Sequence, residues 1–139
     1  MGIRLLLDTH ALIWWWTDDG RLPQPARAAI ADAANMIVVS AVSAWEIADK
    51  HRVGKWPEVT PIIAGFQTIV LRSRFVLLPI TAAHALVAGA LDGPHRDPFD
   101  RMLIAQARQE QAPIVSADKV FRSYGVTVIW NAAESSRHA

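Results

Sequence analysis

The chain has 139 residues, of which 52% are hydrophobic and 19% charged, so it is long enough to bury the core of one domain. Its formal net charge of +1 excludes strong attraction of a polyanion by the molecule as a whole. The absence of cysteine excludes disulfides and thiolate metal sites, so any metal must use oxygen or imidazole ligands. No apolar stretch reaches the roughly 20 residues of a membrane-spanning helix, and no signal-peptide pattern opens the sequence, so we expect a cytoplasmic protein.

The first part of the chain alternates short apolar runs with helical patterns. Residues 3–7 predict a buried strand that ends at Asp8. Helices are predicted at 9–16 and 25–34, and a second buried strand at 36–39. A β-α-β alternation therefore begins at the first strand.

Two further helices are predicted after the second strand. Ser43 is the predicted N-cap of a helix that breaks near Gly54. The next helix is predicted over residues 60–70. The remaining predicted elements are strands at 75–80, 113–115 and 126–130 and helices at 81–90, 97–109 and 118–121.

This alternation predicts an α/β fold with a central, mostly parallel sheet of four or five strands that helices cover on both faces. No repeat or linker divides the chain, so we expect one domain over residues 1–131 and a frayed tail at 132–139. In such folds, ligands bind outside the carboxyl ends of the strands.

Four acidic residues fall at positions where the predicted elements would bring them to that edge. Asp8 follows the first strand, Glu46 lies one turn into the helix after the second strand, Asp100 lies in the first turn of a helix, and Asp118 follows the strand at 113–115. Carboxylates drawn together repel one another unless a cation neutralises them. Oxygen ligands of this kind suit Mg²⁺ or Mn²⁺, and such ions favour phosphoryl transfer.

Most of these acids also have a purely structural explanation. Glu46 stands three residues after Ser43, which is the spacing of a capping box. Asp118 could be an N-cap, and Asp100 could interact with the helix dipole. Asp97 directly precedes a proline and is best read as an N-cap. Asp8 has no such explanation, because a carboxylate at the end of a buried strand needs a strong partner.

Four segments carry a resemblance to a known family. They are LLLDTHALIW at residues 5–14, SAVSAWEI at 40–47, HRDPFDRMLIAQA at 95–107 and IVSAD at 114–118. In this order they resemble the PIN domains, and more closely the VapC-like ribonuclease toxins of bacterial toxin–antitoxin pairs. The resemblance covers nearly the whole chain and implies a three-layer PIN-like fold.

The resemblance implies the acidic quartet around one or two Mg²⁺ or Mn²⁺ ions, and metal-dependent hydrolysis of RNA phosphodiester bonds. Asp100 is placed in the quartet because the helix that follows it matches the family, and Asp97 competes for that position. Thr9 and Ser116 match hydroxyl residues that would orient the acids or the substrate. The implied metal ligands are Asp8, Glu46, Asp100 and Asp118.

Contacts with RNA phosphates would need cations near these acids. Lys50, Arg52, Arg96 and Arg101 are the candidates. Lys50 stands four residues after Glu46, so a helix ion pair is an equally good interpretation. His10 and His95 are optional helpers whose ordinary interpretation is plain hydrogen bonding.

The resemblance also implies a homodimer and a small cognate antitoxin whose tail occupies a groove near the active site. Trp14–Trp16 and residues 62–71 could supply those surfaces, although packing within the chain explains them equally well. The main alternative function is a non-catalytic PIN-like module that binds RNA or protein. A haloacid-dehalogenase-like phosphatase is disfavoured, since it needs an acid where this chain has His10.

Overall fold

Five strands form one sheet in the computed structural model, which describes residues 2–131. The predicted tail at 132–139 lies outside the described residues. All neighbouring strands pair in parallel, in the order β3-β2-β1-β4-β5 given below. The strands are β1 (Arg4–Leu7), β2 (Met36–Ser40), β3 (Val76–Leu78), β4 (Ile114–Val115) and β5 (Val128–Ile129).

Helices cover both faces of this sheet, which confirms the predicted three-layer α/β fold. A 3₁₀ turn at Pro57–Val59 adds one short element. Over the described range, the α-helices are α1 (Thr9–Trp16), α2 (Gln24–Ala31), α3 (Ala41–Arg52), α4 (Thr60–Ala64), α5 (Phe66–Arg72), α6 (Ala82–Ala90), α7 (Pro98–Gln109) and α8 (Val120–Ser123). No helix in this range is long and apolar enough to cross a membrane.

The alternation of side chains along β1 divides the core between the two faces of the sheet. Leu5 and Leu7 pack with α1, α2 and α5 on one face. Leu6 points the other way and packs with residues of α7 and α8. Both faces of the central strand are therefore buried, which explains its unbroken apolar sequence.

Two local predictions are corrected by the structure. Ser40, not Ser43, caps α3, and its hydroxyl accepts a hydrogen bond from the Val42 N–H at 3.0 Å. The helix predicted over 60–70 is two helices that meet at Gly65, a residue with low helix propensity. The first correction removes the capping box that Ser43 and Glu46 would have formed.

The three consecutive tryptophans pack largely within the chain. The ring of Trp15 lies against Phe75, and the indole N–H of Trp16 donates to the Ser73 hydroxyl at 2.8 Å. Trp14 contacts Trp130 at a centroid distance of 5.9 Å. The run therefore joins α1 to neighbouring elements on its face of the sheet.

Candidate active site

Asp8 ends β1, the central strand, and caps the N-terminus of α1. Its Oδ1 accepts a hydrogen bond from the Ala11 N–H at 2.7 Å. Burial raises the pKa of Asp8 to about 7, against hydrogen bonds from Ser116 and Ala11 that lower it, and the charges of Asp100 and Glu46 raise it further. The fold thus holds a carboxyl group that is costly to ionise without added positive charge.

Glu46 lies on the buried side of α3 with 4% of its surface exposed. Its carboxylate forms an ion pair with Lys50, one turn later on the same helix. The structure therefore supports the ion-pair interpretation of Lys50. The negative charge of Glu46 still raises the pKa of Asp8 and that of Asp100, so Glu46 belongs to the same acidic cluster.

Asp100 lies in the first turn of α7 and faces His95. The His95 Nε2 and the Asp100 Oδ2 are 2.8 Å apart, a hydrogen bond in which an ionised carboxylate accepts from the ring N–H. Burial raises the pKa of Asp100, and the charges of Asp97 and Glu46 act in the same direction. The structure thus brings Asp8, Glu46 and Asp100 together from three elements.

Asp97 is the N-cap of α7, as the sequence predicted. Its Oδ1 accepts from the N–H groups of Phe99 at 2.9 Å and of Asp100 at 3.2 Å. One carboxylate oxygen is therefore committed to capping the helix that carries Asp100. Asp97 therefore caps the helix, while the Asp100 carboxylate interacts with the charge of Glu46.

Asp118 is exposed at the turn between β4 and α8. Its Oδ1 accepts from the Val120 N–H at 3.0 Å, and its own N–H donates to the Ser116 hydroxyl at 2.9 Å. The Ser116 side chain also hydrogen-bonds Asp8. Asp118 thus lies at the rim of the cluster and is linked to Asp8 through one serine.

A pair of buried hydroxyl groups joins α1 to α3. Thr9 and Ser43 are buried, and their hydroxyl oxygens are 3.0 Å apart. Thr9 was predicted as an orienting residue, whereas Ser43 was taken for a helix cap. The signal that could have found Ser43 is its position three residues before Glu46, which places both on one face of α3.

The four predicted phosphate-binding cations have different surroundings. Lys50 pairs with Glu46, and Arg52 pairs with Asp49 on the outer side of α3. The Arg101 guanidinium donates to backbone carbonyls of residues 88, 89, 91 and 95, so it holds the connection between α6 and α7. Arg96 is exposed.

The donor set of the cluster fits a hard divalent cation in its chemistry. Its members are carboxylate oxygens that are buried or half-buried and repel one another. Within residues 2–131, however, no three acidic or histidine side chains are gathered closely enough to ligate one ion directly. Mg²⁺ commonly keeps several water ligands and uses one or two carboxylates, which suits this spacing.

A family model for the PIN domain matches residues 5–126. This chain belongs to the PIN domain family. The matched span of this PIN domain contains all four predicted acids.

The PIN domain is also similar to individual proteins. It is 29% identical over 120 residues to Ribonuclease VapC22 of Mycobacterium tuberculosis, covering 86% of this chain and 91% of the relative. Its fold matches VapBC2 from Rickettsia felis, solved with a DNA fragment from its promoter, with a TM-score of 0.65, 16% identity, and 92% and 99% of the two chains covered. It also matches VapBC-1 from nontypeable Haemophilus influenzae, with a TM-score of 0.61, 14% identity, and 90% and 96% covered.

Proposed function

We propose that this PIN domain is a divalent-metal-dependent endoribonuclease and the toxin of a toxin–antitoxin pair. The observation that carries the proposal is the convergence of Asp8, Glu46 and Asp100 at the carboxyl end of the central strand. Their mutual repulsion and burial make the cluster unfavourable in its fully ionised form. Similarity to a ribonuclease over most of both chains supports RNA as the substrate.

Asp8, Glu46 and Asp100 would hold the ion, one or two of them directly and the others through its water ligands, with Asp118 at the rim. A divalent cation held there would supply positive charge to the phosphodiester as negative charge develops on it, and would lower the pKa of a water molecule for attack. Lys50 already neutralises part of the charge of Glu46. The negative charge of Glu46 would therefore be divided between the metal ion and the Lys50 ammonium.

The remaining polar groups keep the acids oriented. Ser116 donates to Asp8 and accepts from the backbone of the Asp118 turn, so it fixes two acids relative to each other. His95 donates to Asp100 and so fixes the position of its carboxylate. Fixed carboxylates lose little freedom when they bind a cation or a substrate, which favours tight and specific binding.

The proposed partner is a cognate antitoxin protein, and the proposed assembly is a homodimer in the cytoplasm. The VapBC proteins of similar fold support a partnership of this kind. Blocking of translation would follow from cleavage of an RNA that the ribosome needs.

The deciding experiment is cleavage of end-labelled RNAs by purified protein with Mg²⁺, Mn²⁺ or EDTA. We expect cutting that requires metal and falls by about 100-fold or more in Asp8→Asn and Asp100→Asn, since even residues that only support metal ligands cost 10–100-fold. Asp32→Asn, at the exposed C-cap of α2, is the matched control and should cut normally. A folded protein that cuts none of several varied RNAs with either metal would favour the alternative of a non-catalytic binding module.

A further inference from the structure

A groove of about 320 Å³ lies beside the acidic cluster and is lined by aromatic rings. His10 stands between two tryptophans, with its ring centroid 5.6 Å from that of Trp14 and 5.3 Å from that of Trp56. His10 itself is exposed, and Trp56 and Trp14 are each partly exposed. The groove therefore leaves part of each of the three rings accessible to solvent.

The groove is joined to the cluster through side chains in contact. His10 lies two residues after Asp8, in the first turn of α1. On the other side, Lys50 pairs with Glu46 and places its ammonium 4.7 Å from the centre of the Trp56 ring. A molecule bound in the groove would therefore lie close to Asp8 on the His10 side and close to Glu46 on the Trp56 side.

Four charged side chains also line the groove: Asp19, Arg21, Lys55 and Glu58. Arg21 lies 4.8 Å over the Trp14 ring and is held by a bidentate ion pair with Asp19, so their charges cancel. Lys55 lines the groove and is exposed, while Glu58 adds one carboxylate. An anionic group in the groove would be attracted by Lys55 and repelled by Glu58.

We propose that this groove, defined by His10, Trp14 and Trp56, binds one unstacked base of single-stranded RNA, with Lys55 contacting a neighbouring phosphate. Aromatic side chains bind bases by stacking, and cations beside them follow the backbone. The proposal rests on the proposed function and adds a base-binding position to it. The groove thus holds one nucleotide of the strand beside the acids.

The test measures RNA binding rather than cutting. A short fluorescein-labelled single-stranded RNA is titrated by anisotropy against the Asp100→Asn protein with Mg²⁺. Because a stacked base contributes about 1–3 kcal/mol, we expect Trp56→Leu to weaken binding about 10-fold and Trp56→Phe to stay within about 3-fold of the parent. Lys55→Gln should lower the dependence of log Kd on log salt by about one unit, as expected for one phosphate contact.

A second arm locates the base. RNAs with one abasic nucleotide at successive positions should show one position where loss of the base weakens binding as much as Trp56→Leu, and the two changes together should cost no more than either alone. Trp45→Leu is the matched control, because Trp45 is 56% exposed on α3 but does not line the groove. Circular dichroism confirms that each variant is folded.

Several results would contradict the proposal that this groove binds a base. Unchanged affinity in Trp56→Leu, an equal loss in Trp45→Leu, or equal effects at all abasic positions would each do so. A change in self-association without a change in RNA affinity would assign the groove to a protein contact instead. Failure of the wild type to cut RNA, with base-dependent binding intact, would overturn the nuclease proposal and leave the groove standing.

Discussion

Asp8 has a carboxyl group that the fold removes from water at the end of the central strand. Its pKa rises from the ordinary value of 3.8 to about 7. The folded protein therefore keeps a proton that the unfolded chain releases between these two values. By linkage, the free energy of unfolding falls as the pH rises from about 4 to 7 in the absence of metal.

We expect Asp8→Asn to stabilise the metal-free protein at pH 8, because asparagine is uncharged and can still accept from the Ala11 N–H. A shift from 3.8 to about 7 corresponds to an upper value of about 4 kcal/mol. Thermal unfolding in EDTA at pH 8 and pH 4.5 checks this: the advantage should shrink at the lower pH. An Asp8→Asn variant less stable than wild type at pH 8 would contradict it.

Lys50 compensates for the burial of Glu46. We expect Lys50→Met to destabilise the protein by about 2–4 kcal/mol, because removing one partner of a buried pair leaves the other charge uncompensated. Urea unfolding measures the loss, and the double variant Glu46→Gln/Lys50→Met should recover most of it. Arg52→Met, which opens the exposed pair with Asp49, is the control and should change stability by less than about 1 kcal/mol. Equal losses in the two single variants would contradict the distinction.

At the level of elements, the connection from α6 to α7 is held by one side chain. The Arg101 guanidinium donates to the carbonyls of Leu91 at 2.8 Å and His95 at 3.0 Å, and to two carbonyls in the last turns of α6. His95 in turn bonds Asp100. Arg101 therefore fixes the loop that positions an acid of the candidate site.

We expect Arg101→Met to increase amide hydrogen exchange in residues 91–96 and to lower RNA cleavage about 10–100-fold, as loss of a positioning group does. The free energy of unfolding should fall by about 1–3 kcal/mol as the carbonyls lose a charged donor. Arg108→Met is the control, because Arg108 is exposed on the same helix. Unchanged exchange in the loop, with cleavage lost, would instead indicate that Arg101 acts on the RNA directly.

At the level of the whole molecule, α4 and α5 leave apolar side chains in solvent. Leu71 is 75% exposed and Ile63 38%. The tryptophans of α1, by contrast, are largely satisfied within the chain. Of the two surfaces that the sequence offered for a partner, the one on α4 and α5 is therefore the better candidate.

If the proposed homodimer uses this surface, Leu71→Glu should weaken dimerisation by about 10-fold or more in sedimentation equilibrium, since a buried charge opposes association. Leu86→Glu is the matched control, because Leu86 is 74% exposed on α6, which packs against α7. Dissociation by Leu86→Glu and not by Leu71→Glu would place the interface elsewhere.

Much of the fold could be predicted from patterns between residues close together in the sequence. The bounds of α1 and the Asp97 cap of α7 follow from periodicity and capping residues, which act within a few positions of one another. The order of the parallel strands brings their carboxyl ends to one edge, so the meeting of Asp8, Glu46 and Asp100 could also be anticipated. Local capping was misjudged where two serines, Ser40 and Ser43, competed for one helix start.

The sequence by itself therefore determined the alternation of helices and strands, the buried central strand, and the acidic residues that follow the strands. Tertiary structure alone decided what each charged group meets: Arg101 binds backbone carbonyls, Asp118 stays at the rim, and Trp56 lies against His10. The physical reason is the distance along the chain over which each kind of interaction acts. Helix and strand patterns are set by neighbours in the chain, whereas the partner of a long polar or aromatic side chain is chosen by which elements pack together.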